Sequence, residues 1–234
     1  MTLPPGQRLL DRFPRFGENL TQPAPSVPAD PVLEIRGAVT APFAVPLTAL
    51  ADLPRRELTA DFHCVAGWSA AGLRWEGVAF RTAYAALVEP ALRPGATITH
   101  LVFRGLDGFR AVMMIEDALG EDVLLADHLD GRPLDGDHGA PLRLVSPTQY
   151  GYVNTKHLSR IEVHTAEPPR HDRSVLGGGL SMRLLSSHPR ARVRVEERHR
   201  HLPPWLVRPV YRATVPYLLR LSAKGTPGSG AASG

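Results

Sequence analysis

The sequence predicts an α+β domain of mixed β-sheets with short helices. Apolar-rich runs of roughly five to ten residues recur along the chain, 23 prolines and 21 glycines punctuate them, and few segments have helical periodicity. Runs of strands without regular intervening helices argue against an alternating βαβ fold, and no G-x-G-x-x-G follows a strand-like run, so a dinucleotide-binding fold has no support. With 43% hydrophobic and 21% charged residues, 234 residues suffice for one domain of ordinary size with appendages.

Residues 1–30 are proline-rich, as in Gln22-Pro23-Ala24-Pro25-Ser26-Val27-Pro28, and are expected to form an extended arm lying on the domain. The domain is expected over 31–168. Its first strand is Val32 to Gly37, which enters a turn at the glycine. Thr48 is placed to cap a short helix over Ala49 to Leu53, stopped by Pro54. Arg56 to Val65 is a second strand that delivers Cys64 near its end. Phe80 to Val88 is the clearest amphipathic helix, with Phe80, Ala83, Tyr84, Leu87 and Val88 on one face and Pro90 ending it. Further β runs cover 97–103, 109–115, 141–145 and 157–165, with turns at Leu106-Asp107-Gly108 and Asp130-Gly131-Arg132-Pro133.

From Arg170 the composition shifts to eleven arginines and one lysine against Asp172, Glu196 and Glu197. That is a net +9, which leaves −5 on residues 1–169. Residues 169–224 are therefore a basic C-terminal segment with a flexible joint at Leu176-Gly177-Gly178-Gly179-Leu180. Residues 225–234 are small and polar and are expected to be a disordered tail. Trp205, Leu206, Val207, Val210, Tyr211, Val215, Tyr217, Leu218 and Leu219 lie among the arginines, a pattern that suits a docking surface or membrane-surface contact as well as packing on the domain itself. The basic residues lie outside any recognised nucleic-acid-binding fold, so nucleic acid is not an expected partner. No run of ~18 apolar residues could span a bilayer, and the N-terminal residues lack the pattern of a secretory signal, so a cytoplasmic location is expected.

Cys64 is the single cysteine, so it is a nucleophile, a metal ligand or buried apolar filler. No C-x-x-C or H-x-x-x-H pair frames a closed zinc site, and four-cysteine iron–sulfur ligation is excluded. Further along the chain stands Asp137-His138-Gly139-Ala140-Pro141-Leu142-Arg143.

The ordered set of Cys64 with Gly67-Trp68-Ser69, Trp75-Glu76-Gly77-Val78, Leu106-Asp107-Gly108-Phe109, Val123-Leu124-Leu125-Ala126, Asp130-Gly131-Arg132-Pro133-Leu134, Asp137 to Arg143, and Tyr150-Gly151-Tyr152 with Lys156 resembles the oxidoreductase molybdopterin-binding domain family, that of sulfite oxidases and the bacterial methionine-sulfoxide reductase catalytic subunit. The resemblance covers about residues 30–165. It implies a sulfite-oxidase-type fold and one Mo-molybdopterin cofactor, with Cys64 as the molybdenum ligand. A soft thiolate suits a redox-cycling metal when a dithiolene supplies the other sulfurs. The resemblance carries the cofactor-binding roles to His138, Arg143 and Lys156, with Asn154 and Thr155 touching the cofactor largely through backbone groups.

It also sets Asn19 where sulfite oxidases carry an arginine, and Phe109 where they carry a tyrosine near the metal. These are the candidate catalytic positions beside Cys64, and both substitutions disfavour sulfite oxidation. Asparagine at this position resembles the methionine-sulfoxide reductase branch, whereas His138 resembles the sulfite oxidase branch. The implied activity is oxygen-atom transfer, S-oxide or N-oxide reduction or a related reaction of a small molecule, with electrons from a separate redox partner docking at the basic C-terminal segment. A catalytically silent molybdopterin-binding or electron-transfer-associated module is the alternative. An interaction protein with Cys64 as filler is a third reading.

Overall fold

The computed structural model describes residues 2–16, 23–169 and 186–224. Two sheets share the chain. The first is organised by one long strand, β5 (Trp68–Ala79), twelve residues in length. Along one edge it pairs antiparallel with β4 (Arg55–His63). Its other edge is divided: β1 (Arg8–Leu10) runs parallel to Trp68–Ala70, and β8 (Leu124–Leu129) pairs antiparallel with Trp75–Ala79. β10 (Arg143–Val145) joins the far side of β8, and β9 (Arg132–Pro133) closes a hairpin on it. The second sheet has the order β3 (Phe43–Pro46), β2 (Val32–Gly37), β11 (Leu158–His164), β6 (His100–Gly105), β7 (Arg110–Met114). Mixed sheets with short helices agree with the predicted class.

β2 follows directly from its alternation. Leu33 and Ile35 are buried at 1% and 0%, while Glu34 turns outward to accept from Arg36 and Arg160, each at 2.8 Å. The expected helix over 80–88 begins as α1 (Phe80–Ala83), widens to a π turn over Tyr84–Val88 and tightens to a 3₁₀ turn at Glu89–Ala91. Phe80, Ala83, Tyr84 and Val88 are buried on its inner face, and Leu87 packs at the edge. A 3₁₀ turn over Leu47–Asp52 replaces the short helix, without a side-chain cap from Thr48. A short α2 (Ile115–Ala118) follows β7.

β5 was not predicted as a strand, because glycines at 72 and 77 interrupt its alternation. The structure gives Gly77 a reason: a Cβ there would lie 2.0 Å from the Leu125 carbonyl oxygen, at the step where the β5–β8 register shifts. That close approach pulls β8 against β5 and buries Trp75 to 1%.

The fold has two apolar cores. One lies against the second sheet and holds Ile35, Phe80, Leu101, Phe103, Met113 and Ile161. The other holds Cys64, Trp68, Trp75, Leu124 and Val145, with Phe13, Phe16 and Phe62 against them. The C-terminal helix α3 (Pro204–Lys224) closes this second core through Val215, Tyr211 and Leu219. Among the described residues no helix is long and apolar enough to cross a membrane. The glycine joint at 176–180 and the tail at 225–234 lie outside the described residues.

Candidate functional site

β4 ends at His63 and the chain turns over Cys64 to Gly67 before β5 begins. The turn is closed on itself, with the Cys64 N–H donating to Trp68 O at 2.8 Å and the Gly67 N–H to Cys64 O at 3.0 Å. The N-terminal arm buttresses it: Gln7 Nε2 donates to the Cys64 carbonyl at 3.1 Å, and Gln7 Oε1 accepts from Ser69 Oγ at 3.1 Å. Cys64 is 5% exposed. Burial pushes its thiol up to about 12, against a backbone hydrogen bond from Ala66 and the charges of Arg198 and Lys156. Such a thiol is a poor free nucleophile, and its burial suits a ligand whose proton a metal displaces.

The second half of the site is a loop zipped onto the segment after it. Leu144 N–H donates to Thr155 O at 2.9 Å, Leu158 N–H to Leu142 O at 2.7 Å, and His157 N–H to Gly139 O at 3.0 Å. Gly139 has φ +107°, and a Cβ there would stand 3.0 Å from Lys156 Cβ, so only glycine lets the loop lie on the lysine. Lys156 Nζ donates to Asp137 O at 2.7 Å. Burial, then the nearby Arg143 and Arg15 charges, pull its ammonium down to about 7.

Arg143 decides what this pocket can hold. Its residue is fully buried at 0%, and burial alone pulls the guanidinium down to about 9. Nη1 donates to the His138 carbonyl at 2.8 Å, while Nε and Nη2 have no hydrogen-bond partner. The guanidinium lies 4.7 Å over the Trp75 ring, 5.7 Å from Phe13 and 5.9 Å from Phe62. Cation–π contacts of about 1–2 kcal/mol do not offset a desolvated charge. The Trp68 and Trp75 indole N–H groups are also buried without partners. Unused donors around a buried cation form a cradle for an anionic, acceptor-rich group, such as a phosphorylated pterin.

His138 is held by Asp135, which accepts from both its backbone N–H and Nδ1 at 2.8 Å, while Nε2 meets the Phe13 carbonyl at 3.2 Å. Thus the structure brings Cys64, His138, Arg143 and Lys156 to one place. Asn154 is buried beside them, but its side chain staples the loop: Oδ1 accepts from Ser146 N at 2.7 Å, and Nδ2 donates to Ser146 O and Tyr150 O, each at 3.3 Å. The Thr155 and Asn154 amides are likewise spent on Val153 O and Gly151 O. Phe109 lies elsewhere, packed against the other core beyond the turn whose Leu106 N–H donates to His157 O. Asn19 lies outside the described residues.

Residues 21–172 match the oxidoreductase molybdopterin binding domain. The chain belongs to that family. The catalytic subunit MsrP of the protein-methionine-sulfoxide reductase of Gluconobacter oxydans is 29% identical over 180 residues, 68% of this chain and 56% of that protein. The uncharacterised oxidoreductase YuiH of Bacillus subtilis is 34% identical over 131 residues, 56% of this chain and 63% of that protein. In fold, the crystal structure of the sulfane dehydrogenase SoxCD of Paracoccus pantotrophus superposes with a TM-score of 0.52 at 23% identity, covering 61% of this chain and 40% of that one. The chain thus spans between about half and two-thirds of the two curated relatives and 40% of the SoxCD chain. Molybdopterin, the family's cofactor, fits the unused donors around Arg143. Among the described residues no cluster of three His, Cys, Asp or Glu side chains could hold a metal ion.

Sequence reasoning missed the residue that locks the Cys64 turn. Arg198, from the basic segment beyond the matched domain, is 1% exposed. Its Nη1 donates to the Val65 carbonyl and Nη2 to Pro5 O at 3.4 Å, Glu196 pairs with it at 3.7 Å, and its guanidinium lies 5.0 Å over Tyr150. It therefore ties the N-terminal arm, the cysteine turn and the C-terminal segment together. In the sequence nothing separates Arg198 from its solvated neighbours, because its acceptors are backbone carbonyls more than 130 residues away.

Proposed function

We propose that this chain is a molybdenum-cofactor-dependent oxidoreductase that reduces S-oxides or N-oxides by oxygen-atom transfer, taking electrons from a separate redox partner. The observation that carries it is the buried Arg143 with two unused N–H donors, set in the same aromatic-walled space as Cys64. When bound, the cofactor supplies a metal centre able to exchange an oxygen atom and two electrons with a small substrate. Cys64 would ligate the metal as its thiolate, with Gln7 and Arg198 fixing the turn around it. Arg143 and Lys156 would neutralise the cofactor's anionic groups, and His138, clamped by Asp135, would close that side. Phe13, Phe16, Phe62 and Trp68 would exclude water and leave an apolar approach that suits a neutral oxide better than a dianion.

Phe109, which packs against the other core, and Asn19 stand in this reading where a sulfite oxidase would have a phenol and a cation, so sulfite oxidation stays disfavoured. The "catalytic subunit" in the name of the reductase relative is in keeping with an external electron donor. Cytoplasmic location remains part of this reading, and cell fractionation of the native host tests it.

The test uses the full chain expressed in a molybdenum-replete host, with Cys64→Ser as control. Molybdenum close to one equivalent is expected, lost in the variant, together with oxidation of a reduced dye by methionine sulfoxide, dimethyl sulfoxide or an N-oxide. Equal molybdenum in both proteins overturns the ligand assignment. Full metal loading with no turnover on any oxide, or faster turnover with sulfite, overturns the substrate class.

A further inference from the structure

Helix α3 has two apolar faces, and only one of them is used. At 100° per residue, Val207, Tyr211, Val215 and Leu219 fall on one side, where Val207 is 5% and Val215 2% exposed, and the last three pack on the Cys64 core. Leu206, Val210, Ala213 and Tyr217 follow the i, i+4, i+7, i+11 positions and cover roughly 60° of the opposite side. All four are exposed, Leu206 at 48%, Val210 at 59% and Tyr217 at 64%. Trp205, the second residue of the helix, is 70% exposed. Four of the nine large apolar side chains exposed among the described residues therefore lie on this one helix, a concentration that scattered surface hydrophobics do not produce.

Charge narrows the occupant. The helix carries Arg208, Arg212, Arg220 and Lys224 and no acidic residue. Arg208 is taken by Glu196, whereas Arg212 and Arg220 are exposed on one flank of the helix, Arg220 next to the apolar stripe and Arg212 closer to the packed face. A second copy of the chain would bring these arginines against their own kind. A purely acidic protein partner would leave the indole and the aliphatic stripe unused. An anionic bilayer surface uses both: apolar side chains enter the acyl boundary, Trp and Tyr sit at headgroup level, and arginines reach lipid phosphates. Trp205 and Tyr217 stand about 18 Å apart along the axis, so the helix would lie in the plane of the surface.

We infer that the outward face of α3 docks the protein onto an anionic lipid surface, with Leu206, Val210 and Tyr217 inserted and Arg212 and Arg220 on the headgroups. The packed face stays on the domain, so the cofactor pocket rides directly above the membrane plane.

The test mixes the full-length protein with vesicles of phosphatidylcholine, alone or with phosphatidylglycerol. Trp68 and Trp75 are 1% exposed, so a blue shift of tryptophan emission reports Trp205. Anionic vesicles are expected to sediment at least about tenfold more protein than neutral ones and to shift the emission, both effects falling with salt. Leu206→Glu/Val210→Glu should reduce vesicle binding about tenfold with the thermal melt unchanged, and Arg212→Gln/Arg220→Gln should remove the preference for anionic lipid. No sedimentation with anionic vesicles at low salt overturns the inference, and so does undiminished binding of the double glutamate variant. A wild-type dimer that this variant dissociates, without lipid binding, would assign the face to a second copy instead.

Discussion

Arg143 carries the functional argument at the scale of a single residue because its position makes no sense as structure alone. A buried guanidinium with a carboxylate partner is strongly destabilised when either member is removed, by about 3–5 kcal/mol. Arg143 has no carboxylate, only one carbonyl and three aromatic rings. In the cofactor-free protein its charge is a cost. Arg143→Met, which keeps the volume and drops the charge, should therefore leave the unfolding free energy of cofactor-free protein in urea unchanged or raise it by up to about 1–2 kcal/mol. Molybdenum retained through purification should fall severalfold in the same variant. A loss of about 3 kcal/mol with metal retained would mean that the charge supports the fold rather than a ligand.

At the scale of elements, what the sequence disclosed depended on how locally each element is determined. β2 and the helical turn from Phe80 were legible because their own periodicity separates inside from outside. Cys64, His138, Arg143 and Lys156 were legible as an ordered motif, and the zipper between Leu142–Leu144 and Thr155–Leu158 explains why those motifs travel together. β5 was not, since its two edges are shared among three strands and its glycines serve a close approach that appears only on folding. The Arg198 clasp is the extreme case, because the hydrogen-bond acceptors it ties together are backbone carbonyls that carry no side-chain signature. Arg198→Met should remove the donors that Val65 O and Pro5 O rely on and cost about 2–3 kcal/mol in chemical denaturation. It should also free the turn, so that Cys64 in cofactor-free protein is alkylated at least about tenfold faster by a small reagent under native conditions. Unchanged stability with Cys64 still protected would reduce the clasp to a surface contact.

At the scale of the whole molecule, the matched family domain is smaller than the unit that packs. The boundary drawn near residue 168 follows composition, but the described part of the basic segment is stitched into the domain. Tyr150 N–H donates to Ala191 O at 2.8 Å, Val193 N–H to Thr148 O at 3.0 Å, and Arg190 pairs with Asp117 at 3.1 Å. Ala191, Val193, Val207 and Val215 are each at most 5% exposed. Burying three valines contributes about 1.5–2 kcal/mol each, together comparable to the lower end of an ordinary domain's stability, about 5–15 kcal/mol. A chain ending at Glu167 keeps every motif of the molybdopterin family yet uncovers the core that holds Cys64. It should melt at least about 10 °C lower than the full chain, or without a cooperative transition, and bind a hydrophobic dye. Adding residues 168–224 back as a separate peptide should raise the melting temperature and recover molybdenum retention, which distinguishes a missing wall of the site from a chain that never folds. A truncated protein that melts within a few degrees of the full chain and keeps its molybdenum would make the segment an appendage after all.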